Sequence, residues 1–260
     1  MKVTFVNPGV EYMIKQIMEF QTENESEFWM TPLYHFYPEL KKDYAMNLPY
    51  PERKKYIEQT MWTIYARTEE TINNKVCLYT KHWEKCSAQI TEALSEAFDM
   101  DCASEFNDLQ CNVSINPIMP RFLKERQFDL FYLNSEKGAI GDAIHEIIHF
   151  VWFFVWNRLY KDSYDEYERP SLKWILSEMA VEPVMRDPRL STINPYFPRE
   201  NGGCIYPYFF DMKADGKYVL ETLNEMYRSQ HIEEFMCSSY DYCKKHEAEI
   251  RAHILKSEEL

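Results

Sequence analysis

His145, Glu146 and His149 are the only ionisable side chains between Ala143 and Trp156, a run whose other eleven members are apolar. They spell H-E-x-x-H, the spacing by which a helix presents two imidazoles to zinc with a carboxylate beside them. Residues four apart on an α-helix are rotated by only about 40° and separated by about 6 Å along the axis, so both rings reach a common ion from one face. Glu146 lies about 100° further round than His145, beside that face. A carboxylate there can take a proton from water that a metal has acidified. The plainer alternative is a core helix whose histidines bond to backbone carbonyls while Glu146 pairs with a lysine or arginine. A helix apolar nearly all round does belong in a core, and ionisable groups are costly there unless paired, hydrogen-bonded or bound to metal.

A catalytic zinc held by two histidines needs a third protein ligand and one open position. The segment from Leu172 to Glu182 reads as a second helix, with Leu172, Ile175, Leu176, Met179 and Ala180 at helical spacing and Pro170 near its start. Glu178 sits in its middle among apolar neighbours and is the expected third ligand. Glu182, one turn on, is the expected acceptor for one ligating imidazole, fixing its tautomer. The alternative for both is an ordinary exposed position on an amphipathic helix.

Together the two segments resemble the gluzincin metallopeptidases, in which a W-L-x-E-G-x-A-like stretch follows the first motif and supplies the third ligand. Here that stretch is Trp174, Ile175, Leu176, Ser177, Glu178, Met179 and Ala180. The resemblance covers about residues 109–185. It departs from the family pattern at Met179, where glycine is usual, at Ser177, where some members have asparagine, and in a longer gap from His149 to Glu178. The resemblance implies a zincin-like domain, with zinc held by His145, His149 and Glu178 and Glu146 as catalytic base. Thermolysin-like members carry an acidic residue four positions after the ligand glutamate, and Glu182 matches that offset. The implied reaction is hydrolysis of a peptide bond, with a strand beside the motif helix pairing to an extended substrate.

The elements that must position these residues read as α+β, predominantly helical, with a small sheet and a helical N-terminal extension. A natural division sets residues 1–104 apart from a metal-binding region at 105–260, unless the whole chain forms one compact domain. Helical periods run through about 52–74 and 82–98, as in Ile57, Met61, Ile64 and Tyr65. Leu109–Ile115 and Phe128–Leu133 have the β-branched and aromatic content of short strands. The motif helix is expected from about Ala139 to Tyr160, followed by a solvated charged connection at 161–170. A loop-rich stretch at 187–217 is the natural rim of a site. Its Tyr196, Tyr206 and Tyr208, and His231 beyond it, are each able to donate a hydrogen bond to an oxyanion, and nothing in the sequence selects among them. Residues 216–256 read as two helices parted near Cys237–Ser239. His35 and His82 lack partners at metal spacing, and His246 and His253 lie in a polar helix that suggests solvent.

Composition narrows the function classes. Of 260 residues, 45% are hydrophobic and 16% aromatic, which argues against disorder. Only six glycines favour helices over a repeat-rich β architecture. A formal net charge of −13 excludes nucleic acid as a natural partner, since phosphate binding needs a basic surface. Seven cysteines without a C-x-x-C pair suit reduced thiols and a cytoplasmic setting, and none forms a readable Cys/His nucleophile. No N-terminal signal region or spanning apolar run is legible, so no membrane partner is expected. The reading is therefore a zinc-dependent metallopeptidase acting on a peptide or protein. A catalytically inactive zinc-binding protein, structural or peptide-binding, is the alternative, and a metal-free helical interaction protein the third.

Overall fold

In a computed structural model of the chain, residues 1–194 and 205–258 are described. Most of them are helical. The helices are α1 (Val10–Glu19), α2 (Glu27–Phe36), α3 (Lys42–Met46), α4 (Tyr50–Phe98), α5 (Cys102–Glu105), α6 (Glu136–Tyr160), α7 (Leu172–Met185), α8 (Pro188–Ser191), α9 (Val219–Ser229), α10 (Ile232–Lys245) and α11 (Glu247–Glu258). The strands are β1 (Val3–Val6), β2 (Leu109–Ser114), β3 (Arg121–Phe122), β4 (Gln127–Phe131), β5 (Lys213–Ala214) and β6 (Lys217–Tyr218).

The main sheet runs in the order β1-β2-β4-β3, with β1, β2 and β4 parallel and β3 an antiparallel edge. Alternation divides its two faces. Phe5, Cys111 and Phe128 fall in register on one face, where Phe5 meets Trp83 of α4 and Phe128 meets Phe150 of α6. The other face carries Gln110, Asn112 and Asp129, closed over by Tyr12 of α1, whose hydroxyl bonds Asp129 at 2.8 Å. β1 has no counterpart in the sequence reading because its four residues are too few to show a period. It joins the N-terminal region to β2, and one hydrophobic cluster runs from Val3 to Ile254 across the 104/105 division.

The two helical periods expected at 52–74 and 82–98 belong to one helix, α4, of 49 residues. No proline or glycine interrupts it after Pro51. Its middle is tied down where Tyr79, fully buried, donates to the Asn134 carbonyl at 2.7 Å, joined there by Lys75. The C-terminal part corrects a second expectation. It holds three helices, not two, and Cys237–Ser239 lie inside α10. Serine suggests a break in a sequence, but here the Ser239 hydroxyl bonds back to the Phe235 carbonyl at 2.6 Å and lets the helix continue. His246 and His253 are likewise not solvent-facing: His246 is buried, and His253 Nε2 faces the Tyr208 carbonyl at 2.8 Å.

Helix α6 starts where the Ser135 hydroxyl accepts from the Gly138 amide, and α7 where Ser171 accepts from Trp174. By length and composition α6 is apolar enough to cross a membrane, contrary to the sequence expectation, but 83% of its most apolar window is buried within the fold. It packs on α4, β4, α7 and α10, so nearly every face of it is a core face. The charged connection after α6 is only partly solvated, because Tyr167 is buried and stacks on Phe153 at 4.3 Å.

Candidate metal centre

His145, Glu146 and His149 lie on α6, and Glu178 on α7, the helix packed against it. Helical spacing turns both imidazoles to the same side, where His145 Nε2 and His149 Nε2 are 3.1 Å apart. The Glu178 carboxylate closes the triangle, with Oε2 at 3.5 Å from His145 Nε2 and Oε1 at 3.5 Å from His149 Nε2. Ligands about 2.0–2.1 Å from a tetrahedral zinc stand roughly 3.3 Å from one another, so three such atoms suit one ion. The donor set, two imidazoles and a carboxylate, is one that zinc accepts. His145, Glu146 and His149 also form a group with ligand atoms all within 4.8 Å of one another.

Burial sets the electrostatics. His149 is fully buried, Glu178 is 1% exposed and Glu146 8%. Burial pushes His149 down to about 3, with the Arg121 charge adding to the effect, so this ring is a neutral lone-pair donor at pH 7. Burial opposes ionisation of Glu178 too, but the His149 ring and Arg121 outweigh it and hold this carboxyl well below its usual range. Since His149 is neutral, the lasting cause is Arg121, whose Nη1 donates to Glu178 Oε1 at 2.8 Å. Burial pushes Glu146 up to about 7, against the pull of His145 and Arg121. Its Oε2 is buried without a hydrogen-bond partner, with Arg121 Nη1 at 3.9 Å, while the residue itself borders the cavity.

Sequence reasoning missed Arg121. Its position follows from register: Arg121 on β3 stands opposite Phe128, whose side chain faces α6. The guanidinium therefore reaches the motif from the sheet edge. A lone arginine in a loop-like stretch carries no periodic signal, so only the fold reveals it. Asp142, one turn before His145, was also missed; burial pushes it up to about 6, and its Oδ2 accepts from Asn134 at 2.5 Å.

Glu182 is buried beside the expected place, but its Oε1 accepts from Arg186, and His149 Nδ1 finds no partner. The His149 ring therefore makes no bond to Glu182 through Nδ1. Of the four candidates for oxyanion stabilisation, Tyr206 lines both cavities at the centre, and burial keeps its hydroxyl protonated and able to donate. Tyr208 stacks behind it with ring centroids 5.5 Å apart. His231 is exposed at the start of α10 and lines neither cavity, and Tyr196 lies outside the described residues.

The centre sits between two adjoining cavities of about 270 and 350 Å³ that share Trp29, Ile118, Met119, His145, Glu146 and Tyr206. One extends past Arg121 and Glu168, the other along apolar Phe28, Pro32, Pro117 and Ile205. The wall at Ile118–Arg121 leads into edge strand β3. A second possible group, Asp215, His246 and Glu249, has two exposed carboxylates, each facing one nitrogen of the same ring.

Compared with protein-family models, curated proteins and solved structures, the chain matches none.

Proposed function

We propose that the protein is a zinc-dependent metallopeptidase of the gluzincin type. The observation that carries this reading is the convergence of His145 Nε2, His149 Nε2 and the Glu178 carboxylate at 3.1–3.5 Å spacing beside an open cavity. Bound zinc supplies Lewis acidity that acidifies water and polarises a carbonyl. The protein's own groups do the rest. His145, His149 and Glu178 hold the ion. Glu146, which lines both cavities, takes the proton of the attacking water and then returns it to the leaving amine. Tyr206 donates to the developing oxyanion. Trp29 and Ile118–Met119 wall the cavity around the scissile bond.

A peptide is the proposed substrate because two adjoining cavities meet at His145 and Glu146 and one wall continues into an antiparallel edge strand. An unpaired strand edge reads main chain, which every peptide offers. A catalytically inactive zinc-binding protein is the second reading. Zinc-loaded wild type and Glu146→Gln, assayed on a mixed peptide library, separate the two. The enzyme reading expects cleavage by wild type and a loss of at least about a hundredfold in the variant, with zinc content unchanged. Equal cleavage by both chains removes Glu146 as the base, and no cleavage by wild type leaves the second reading.

A further inference from the structure

One carboxylate at this centre serves two masters. Glu178 Oε1 accepts from Arg121 Nη1 at 2.8 Å and lies 3.5 Å from His149 Nε2, while Oε2 lies 3.5 Å from His145 Nε2. The guanidinium also stands 3.9 Å from Glu146 Oε2, so it faces both glutamates of the centre. Arginine keeps its charge at every pH at which a protein stays folded. Whichever Glu178 oxygen a divalent cation takes, it comes close to that fixed positive charge, and like charges in a partly buried cavity are only partly screened. A neutral donor on the free oxygen of a ligating carboxylate aims the ligand and supports metal binding. A cationic donor aims it too, but also draws electron density from it and repels the metal.

We propose that Arg121 is a built-in competitor for the Glu178 carboxylate, and that its charge sets the divalent-cation affinity of the centre below what His145, His149 and Glu178 would give alone. The proposal rests on the zinc reading above and adds a regulation to it. At low free metal the Arg121–Glu178 pair ties edge strand β3 to α7 and keeps two buried carboxylates compensated. Rising metal must displace or strain that pair, so loading answers to metal supply in a range that Arg121 fixes. Burial sharpens the competition: Arg121 is 11% exposed at its side chain and Glu178 1%, so water screens the two charges only weakly.

The test measures zinc dissociation constants on chelator-stripped full-length protein, by competition with a chromophoric chelator. Arg121→Gln removes the charge but keeps an N–H donor for Glu178, and Arg121→Lys keeps the charge but loses the planar fork. The proposal expects Arg121→Gln to bind zinc at least about tenfold more tightly than wild type, and Arg121→Lys to stay within about threefold of it. It also expects zinc-free Arg121→Gln to unfold at lower temperature than zinc-free wild type, a difference that saturating zinc narrows. Arg121→Met gives the same reading of charge removal should the glutamine chain fail to fold. Equal or weaker zinc binding by the neutral variants overturns the proposal while the zinc reading stands. Zinc bound by a neutral variant but not by wild type supports the proposal in its strongest form. No zinc bound by any of these chains removes the zinc reading and the proposal with it.

Discussion

Arg121 Nη1 lies 2.8 Å from Glu178 Oε1, a contact between edge strand β3 and helix α7 that spans 57 positions of sequence. It joins a residue with no sequence signal to the one expected as third ligand. Breaking one side of a buried pair costs about 3–5 kcal/mol because the other charge is left uncompensated. Water reaches this cavity, so the expected loss for Glu178→Met in zinc-free protein is about 3 kcal/mol by urea denaturation. Changing Arg121 and Glu178 both to methionine removes the stranded charge and recovers part of it. A double variant that loses the sum of the two single losses shows that the pair does not couple.

Asp129 makes stability depend on pH on the sheet face that Tyr12 covers. Burial pushes its carboxyl from an ordinary value of 3.8 up to about 7, against the lowering effect of hydrogen bonds from Asn112 and Tyr12, and its Oδ2 has no partner. The folded chain therefore holds a proton there that the unfolded chain releases. The stabilising contribution is complete below about pH 4 and is lost as pH rises through about 7. A tenfold difference in proton affinity between folded and unfolded chains is worth about 1.4 kcal/mol, so this contribution amounts to a few kcal/mol. Asp129→Asn keeps the acceptor for Tyr12 and Asn112 and has no proton to lose. The stability difference between variant and wild type moves in the variant's favour from pH 4.5 to pH 7.5 in paired urea titrations. A difference that stays constant over that range shows that Asp129 is ionised throughout.

Tyr206 and Tyr208 stack face to face, yet only Tyr206 lines the two cavities around the centre. If turnover follows the proposed route, Tyr206→Phe lowers kcat by about ten- to a hundredfold with zinc content kept, because one oxyanion donor is lost. Tyr208→Phe leaves kcat near wild type. Equal effects from the two variants point to packing of the tyrosine pair as the cause.

Tyr79 anchors the middle of α4. Tyr79→Phe removes its bond to the Asn134 carbonyl, which Lys75 still serves, so the expected loss is about 1 kcal/mol. A change of that size in denaturation midpoint with unchanged helix content by circular dichroism fits one continuous helix. A large loss of helix content shows that α4 depends on this bond for its continuity.

The legible parts of this molecule are those with strong local signals. His145, Glu146 and His149 stand out because charge inside an apolar run needs a partner, and Glu178 because a carboxylate sits among apolar helical positions. The structure brings all four together. The start of α7 and the strands β2 and β4 follow from the same local patterns. What escapes is non-local. β1 is a strand because β2 lies beside it, and Arg121 reaches the centre only through the register of β3 on β4. α4 passes unbroken through Lys75 and Tyr79, which tertiary bonds hold to Asn134, and α10 continues where Ser239 bonds back to its own helix. The donor that Arg186 offers to Glu182, one turn back on its own helix, is likewise not legible in the sequence.

The central claim is that His145, His149 and Glu178 share one ion, and anomalous diffraction at the zinc edge from zinc-soaked crystals tests it most directly. The account predicts a single strong peak about 2.0–2.2 Å from His145 Nε2, His149 Nε2 and one Glu178 oxygen. A map with no peak there, and Arg121 still on Glu178 at saturating zinc, contradicts it.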